Sequence, residues 1–149
     1  MIPHVEIGTG YKGCLDYIYD TGHKNLKDVE YICGTAIGTT ADELLLEFDH
    51  TYRLRPALKK CVAHFSLSAS PGDGRLDRNK WTEIAEQFLQ KVGFDLSQTL
   101  YTVVRHGETH HDHIHIAASR SSLMDQLGTM VDVIYGLFEP AGSLKNSTT

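Results

Sequence analysis

At 149 residues the chain is long enough for one domain with a sizeable hydrophobic core, and it needs no disulfide or metal staple to fold. Its 41% hydrophobic and 22% charged residues describe an ordinary globular protein, and a formal net charge of −5 argues against indiscriminate coating of nucleic acid while leaving room for a local basic groove. Cys14, Cys33 and Cys61 are odd in number and widely spaced, and they lack any Cys-x-x-Cys pair. They indicate neither a disulfide framework nor a cysteine metal site, and a reducing cytoplasm is the expected location. The N-terminus lacks a basic region followed by an apolar run, and no segment approaches a membrane span, so neither a signal peptide nor membrane insertion is expected.

In chain order, His4 to Ile7 reads as a short strand. A helix then runs from about Tyr11 to Asp20, where Tyr11, Cys14, Leu15 and Ile18 recur at helical spacing. Thr40-Ala-Asp-Glu43 is a capping-box pattern that opens a second helix, with Leu44, Leu45, Phe48 and Tyr52 along one side. Arg53 and Arg55 near its end suit the helix dipole, and with Lys59 and Lys60 they form a basic cluster without an acid among them. Cys61 to Ala69 alternates as a strand, and Ser-Pro-Gly-Asp-Gly over 70–74 reads as a turn. Residues 78–92 carry the clearest helical stripe, with Trp81, Ile84, Ala85, Phe88, Leu89 and Val92 on one face and Gly93 as the stop. Ser122 to Phe138 patterns as a last helix, and residues 139–149 as a disordered tail after a domain spanning 1–138. The expected architecture is α+β, an antiparallel sheet that carries a histidine hairpin, with amphipathic helices covering the back.

Five of the nine histidines fall within residues 106–115. His113 and His115 are separated by one apolar residue in an alternating His-Ile-His-Ile segment, so on a strand both project from the same face. His106 closes the preceding apolar run, and the six residues between His106 and His113 suit a hairpin loop. That loop length sets His106 directly opposite His113, Val103 beside Ile116 and Tyr101 beside Ala118. Paired residues on one face have Cβ atoms about 4.5–5.5 Å apart, close enough for three imidazoles to share one cation. Glu108 lies in the same hairpin and suits a partner that orients an imidazole or a reacting group better than a fourth ligand. His110 and His111 fall in the loop, where solvation, contact with substrate and ligation all stay open.

With these residues placed, the chain resembles the relaxases of the mobilisation-nuclease class, nickases that start conjugative transfer and belong to the His-hydrophobe-His endonucleases. The class pattern is a histidine, an acid two residues on, a His-x-His pair beginning seven residues after the first histidine, and often Ser-Arg beyond it. Here those positions are His106, Glu108, His113, His115, Ser119 and Arg120. Residues 10–18, Gly-Tyr-Lys-Gly-Cys-Leu-Asp-Tyr-Ile, resemble the glycine-containing turn and helix that bear the nucleophilic tyrosine. Ala-His-Phe-Ser-Leu-Ser over 63–68, the following Pro-Gly, and the Trp81 helix ending in Val-Gly-Phe also match in order and spacing. The acid is Glu108 where many relatives carry Asp, and the sequence after Arg120 departs from the usual continuation.

The resemblance implies a metal-dependent relaxase that nicks one DNA strand at a transfer origin through a covalent 5′-phosphotyrosine. His106, His113 and His115 would hold the ion, Mg²⁺ or Mn²⁺ by resemblance, although three imidazoles also tolerate Zn²⁺. The motif favours Tyr17 as nucleophile. Periodicity barely separates it from Tyr19, since the two lie about 200° apart on the helix and both flank the apolar stripe. Lys12, Arg53, Arg55, Lys59, Lys60, Arg105, His111 and Arg120 are candidate DNA contacts. Expected partners are single-stranded DNA, an accessory DNA-binding protein and a coupling protein, in a bacterial cytoplasm. Two other readings remain: a histidine-triad nucleotide hydrolase, whose alternation Asp112 breaks, and a non-catalytic DNA-binding remnant of a mobile element.

Overall fold

The computed structural model describes residues 2–8, 10–19, 29–52, 62–106 and 112–120. The elements are β1 (Ile2–Gly8), α1 (Tyr11–Ile18), β2 (Val29–Gly34), α2 (Ala41–Tyr52), β3 (Val62–Ser68), α3 (Arg78–Lys91), β4 (Tyr101–His106) and β5 (His113–Ser119), with a short 3₁₀ turn at Pro71–Asp73. The five strands form one sheet in the order β1-β3-β5-β4-β2, and every neighbouring pair is antiparallel. The chain is therefore α+β as its sequence implies. The expected last helix at 122–138 and the tail lie outside the described residues.

The alternating side chains of the sheet make two different surfaces. On one face Phe65, Leu67, Val103, Ile114 and Ile116 pack against Trp81, Ala85, Phe88 and Leu89 of α3 in a single apolar cluster. On the other, Val62, Val104 and Ala117 pack against Leu15 and Ile18 of α1 and Leu44 and Phe48 of α2. The helices therefore cover both faces, where the sequence pattern suggested that all lay at the back. Only α3 does. The reason is that α1 and α2 carry narrow stripes that bury against each other as well as against the sheet, and together they cover one end of the second face.

Local signals account for the helix boundaries. Asp77 caps α3 by accepting from the Lys80 backbone N–H, and Gly93 follows it with φ +108°, a left-handed geometry that suits glycine. The capping box of α2 forms as the sequence indicates: the Glu43 N–H donates to Thr40 Oγ1 at 3.1 Å, while the Glu43 carboxylate accepts from the Thr39 N–H at 3.0 Å. β2 was not evident in the sequence. It is an edge strand in which Ile32 alone is fully buried, and its register shifts between Tyr31 and Cys33, so no regular alternation marks it. Gly34, at φ +152°, closes it against the Tyr101 carbonyl, where a Cβ would have no room.

Candidate metal centre and tyrosine

The hairpin register is the one that the loop length requires. His106 pairs with His113, Val103 with Ile116 and Tyr101 with Ala118. His106, His113 and His115 thus emerge on the sheet face that α1 overlies, and one ring nitrogen from each lies within 4.8 Å of the others. Nitrogens bound at about 2.1 Å to one ion sit about 3–3.5 Å apart, so small side-chain rotations bring the three to bonding distance. All three rings are in mutual contact, with centroids 5.5 Å apart for His106 and His113, 4.2 Å for His106 and His115, and 5.1 Å for His113 and His115.

The sequence reading missed a fourth histidine. His64 on β3 lies on the same face, and its Nε2 is 2.9 Å from His115 Nδ1. Glu6 on β1 approaches from the other side, with Oε2 3.8 Å from His64 Nδ1. A carboxylate attracts the proton onto His64 Nδ1, so Nε2 carries the lone pair and accepts from His115 Nδ1–H. The lone pair of His115 is then left on Nε2, as a ligand requires. The signal for His64 was present in β3, where Val62, His64 and Ser66 alternate with the buried Ala63, Phe65 and Leu67. What the sequence lacked was the adjacency of β3 to β5.

Burial sets the protonation of His115 and His64. The His115 imidazole is pushed down to about 2, first by desolvation and then by the neighbouring His106, His64 and His113. Desolvation also lowers His64, partly opposed by Glu6. A neutral imidazole is the metal-binding form, so His115 suits a divalent ion. His106 is held from above, its Nε2–H donating to the Ile18 carbonyl at 2.6 Å. That contact ties the C-terminal end of α1 to the hairpin.

The two tyrosines of α1 have different surroundings. Tyr17 is 52% exposed, and its ring meets those of His64, His106 and His115, with centroids 5.7, 6.3 and 5.5 Å away. Tyr19, just past the helix, turns into the protein, where its hydroxyl lies 2.8 Å from Thr102 Oγ1. Burial pushes the Tyr19 phenol up. A cleft of about 520 Å³ opens beside Tyr17, bordered by Glu6, Gly10, Gly13, His64 and His115. Cys14 also borders it, but burial pushes its thiol up to about 12 and keeps it unreactive.

The remaining residues singled out from the sequence divide three ways. Lys12 is exposed and paired with Asp16 at 2.7 Å. Arg105 and Arg120 are 3% and 2% exposed, so neither offers a surface for a phosphate backbone, and Arg105 is already engaged with Glu30 and Asp112. Their charge alone suggests exposed positions, whereas the fold buries both. Arg53, Arg55, Lys59, Lys60, Glu108, His110 and His111 lie outside the described residues. Among the described residues no helix is long and apolar enough to cross a membrane.

A comparison with curated proteins gave no match. The family model described as relaxase, MobA/VirD2-like, nuclease domain matches residues 17–131, from the exposed tyrosine through the whole histidine hairpin. The histidine-triad reading finds no support there. Residues 17–131 cover most of the chain, and the protein belongs to the relaxase family through a MobA/VirD2-like nuclease domain.

Proposed function

We propose that the protein is a metal-dependent relaxase that nicks single-stranded DNA at a transfer origin, with Tyr17 as nucleophile and His106, His113 and His115 as metal ligands. The observation that carries this reading is the contact of the exposed Tyr17 ring, edge-on or tilted, with the rings of His64, His106 and His115, in a domain of the relaxase family. His106, His113 and His115 would hold the divalent ion, whose positive charge would neutralise a non-bridging phosphate oxygen that otherwise repels an attacking phenolate. Mg²⁺ or Mn²⁺ is the working ion of this proposal.

The chain's own groups provide the rest. The Tyr17 hydroxyl gives its proton to a base, and Glu108 in the hairpin loop is the candidate. The Oη–P bond forms as the P–O3′ bond breaks, and the departing 3′ oxygen takes up a proton. The product is a 5′-phosphotyrosine with a free 3′-hydroxyl, which keeps the energy of the phosphodiester for rejoining. His64 orients His115 through the hydrogen bond between them, and Glu6 orients His64. Lys12, Arg53, Arg55, Lys59, Lys60 and His111 contact the DNA in this reading. An accessory DNA-binding protein and a coupling protein complete the expected assembly in the bacterial cytoplasm.

The test is to incubate the protein and Mn²⁺ with a transfer-origin single strand and look for a covalent protein–DNA band that is lost in Tyr17→Phe. Strand binding without cleavage or adduct under any divalent ion would instead identify a non-catalytic DNA-binding remnant.

A further inference from the structure

Each of two candidate ligands has a buried charged neighbour in the chain. Arg105 precedes His106, and Asp112 precedes His113. Because side chains alternate along a strand, these neighbours turn to the opposite sheet face from the histidines, toward α3. There Arg105 Nε lies 3.1 Å from Asp112 Oδ1, with both side chains almost fully buried at 4% and 6% exposure. The pair is close enough for strong attraction but not aligned as a hydrogen bond.

The remaining atoms of the two residues reach outward to four other parts of the fold. Asp112 Oδ2 accepts from the Leu76 N–H at 2.6 Å and from Trp81 Nε1–H at 3.0 Å. Arg105 donates to the Leu76 carbonyl and, at 3.3 Å, to Glu30 Oε1 on β2. The Asp112 carbonyl accepts from the Ala69 N–H at 2.8 Å, just past the end of β3. The two strands of the hairpin are thus fastened to β2, β3, the loop before α3 and α3 itself, at the step where His106 and His113 emerge.

Burying such a pair is costly, and well-packed apolar side chains in its place commonly hold a fold as well or better. Its distinctive effect is directional: it fixes how far apart the two strands stand and which way each faces. We infer that Arg105 and Asp112 are positioning residues that act from behind the sheet, setting the separation of His106 and His113 for a shared divalent ion. This inference rests on the metal-site reading given above.

Three proteins test it: wild type, Asp112→Asn and the apolar double variant Arg105→Leu/Asp112→Leu. Each is titrated with Mn²⁺ by calorimetry, and its thermal midpoint is measured without metal. Asp112→Asn keeps the shape and loses the charge, and its Mn²⁺ affinity is expected to fall about 10–100-fold, as for loss of an outer partner of a metal ligand. The double variant is expected to recover the thermal midpoint of wild type while Mn²⁺ affinity stays low. Affinity that recovers together with stability, or that is unchanged in Asp112→Asn, would make the pair merely structural and overturn the inference alone. A double variant that fails to fold leaves Asp112→Asn to decide it by the same criterion. Wild-type protein without Mn²⁺ affinity would overturn the metal site and the inference together.

Discussion

Tyr17 and His115 face each other across the gap between α1 and β5, with ring centroids 5.5 Å apart and planes crossing at 82°. This edge-on meeting places the phenol beside the cluster without burying it, and it separates Tyr17 from its neighbour Tyr19 more sharply than helical periodicity does. Tyr17→Phe is expected to abolish cleavage and the covalent adduct, to leave single-strand binding within a few-fold and to leave the thermal midpoint unchanged. Tyr19→Phe is expected to do the opposite. It removes the hydroxyl opposite the buried Thr102, at a cost of about 1–3 kcal/mol in stability, with cleavage retained. Denaturant melts and adduct gels on both variants check the assignment, and an adduct that depends on Tyr19 would reverse it.

The two tiers of histidine should also separate. Alanine at His106, His113 or His115 is expected to abolish Mn²⁺-dependent cleavage, because two imidazoles hold a labile divalent ion poorly. His64→Ala removes only the partner of His115 Nδ1 and is expected to weaken Mn²⁺ binding by about 10–100-fold, with cleavage recovered at high Mn²⁺. Calorimetric titration ranks the four variants. Equal losses at all four positions would mean that His64 is itself a ligand.

The depressed His115 gives the metal-free protein a defined acid sensitivity. In the unfolded chain this imidazole titrates near 6.5, whereas in the fold it resists protonation down to about 2. Between those values the unfolded state binds the extra proton, so stability falls as the pH drops below about 6.5, by up to about 1.4 kcal/mol per pH unit for one such group. The lowered His64 adds in the same direction. Urea midpoints measured from pH 7 to pH 5 are expected to decline in wild type and to decline less in His115→Asn. A parallel decline in the two proteins would remove His115 as the cause.

Binding of single strands is expected to weaken steeply with salt despite the net charge of −5, since backbone contacts release counterions whatever the overall charge. Each single-strand phosphate contact contributes about 0.7 to the slope of log affinity against log salt, so replacing Arg53 and Arg55 together should flatten it by about 1.4. Fluorescence titrations of a labelled strand at several salt concentrations measure this directly. An unchanged slope would take the pair out of the DNA path.

Much of the site was legible in the sequence because it is built on one hairpin. Alternation in His113-Ile-His115-Ile and the loop length to His106 determine facing and register locally, and the structure reproduces both. The parts that stayed hidden depend on long-range adjacency. His64 becomes relevant only because β3 lies beside β5, and β2 is recognisable as a strand only through its pairing with β4. Arg105 reads in the sequence as a candidate DNA contact, since nothing in its spacing shows that it meets Asp112 inside the protein.

The order of strands has a consequence for how the protein comes into being. All three candidate ligands belong to β4 and β5, which are joined by a short connection, whereas 88 residues separate His106 from the Ile18 carbonyl that ties down the tyrosine helix. Local hairpins close within microseconds, while contacts between distant segments wait on slower chain closure. The cation site and the tyrosine therefore belong to different stages of folding, and refolding protein is expected to acquire affinity for a divalent ion before it acquires the power to cut.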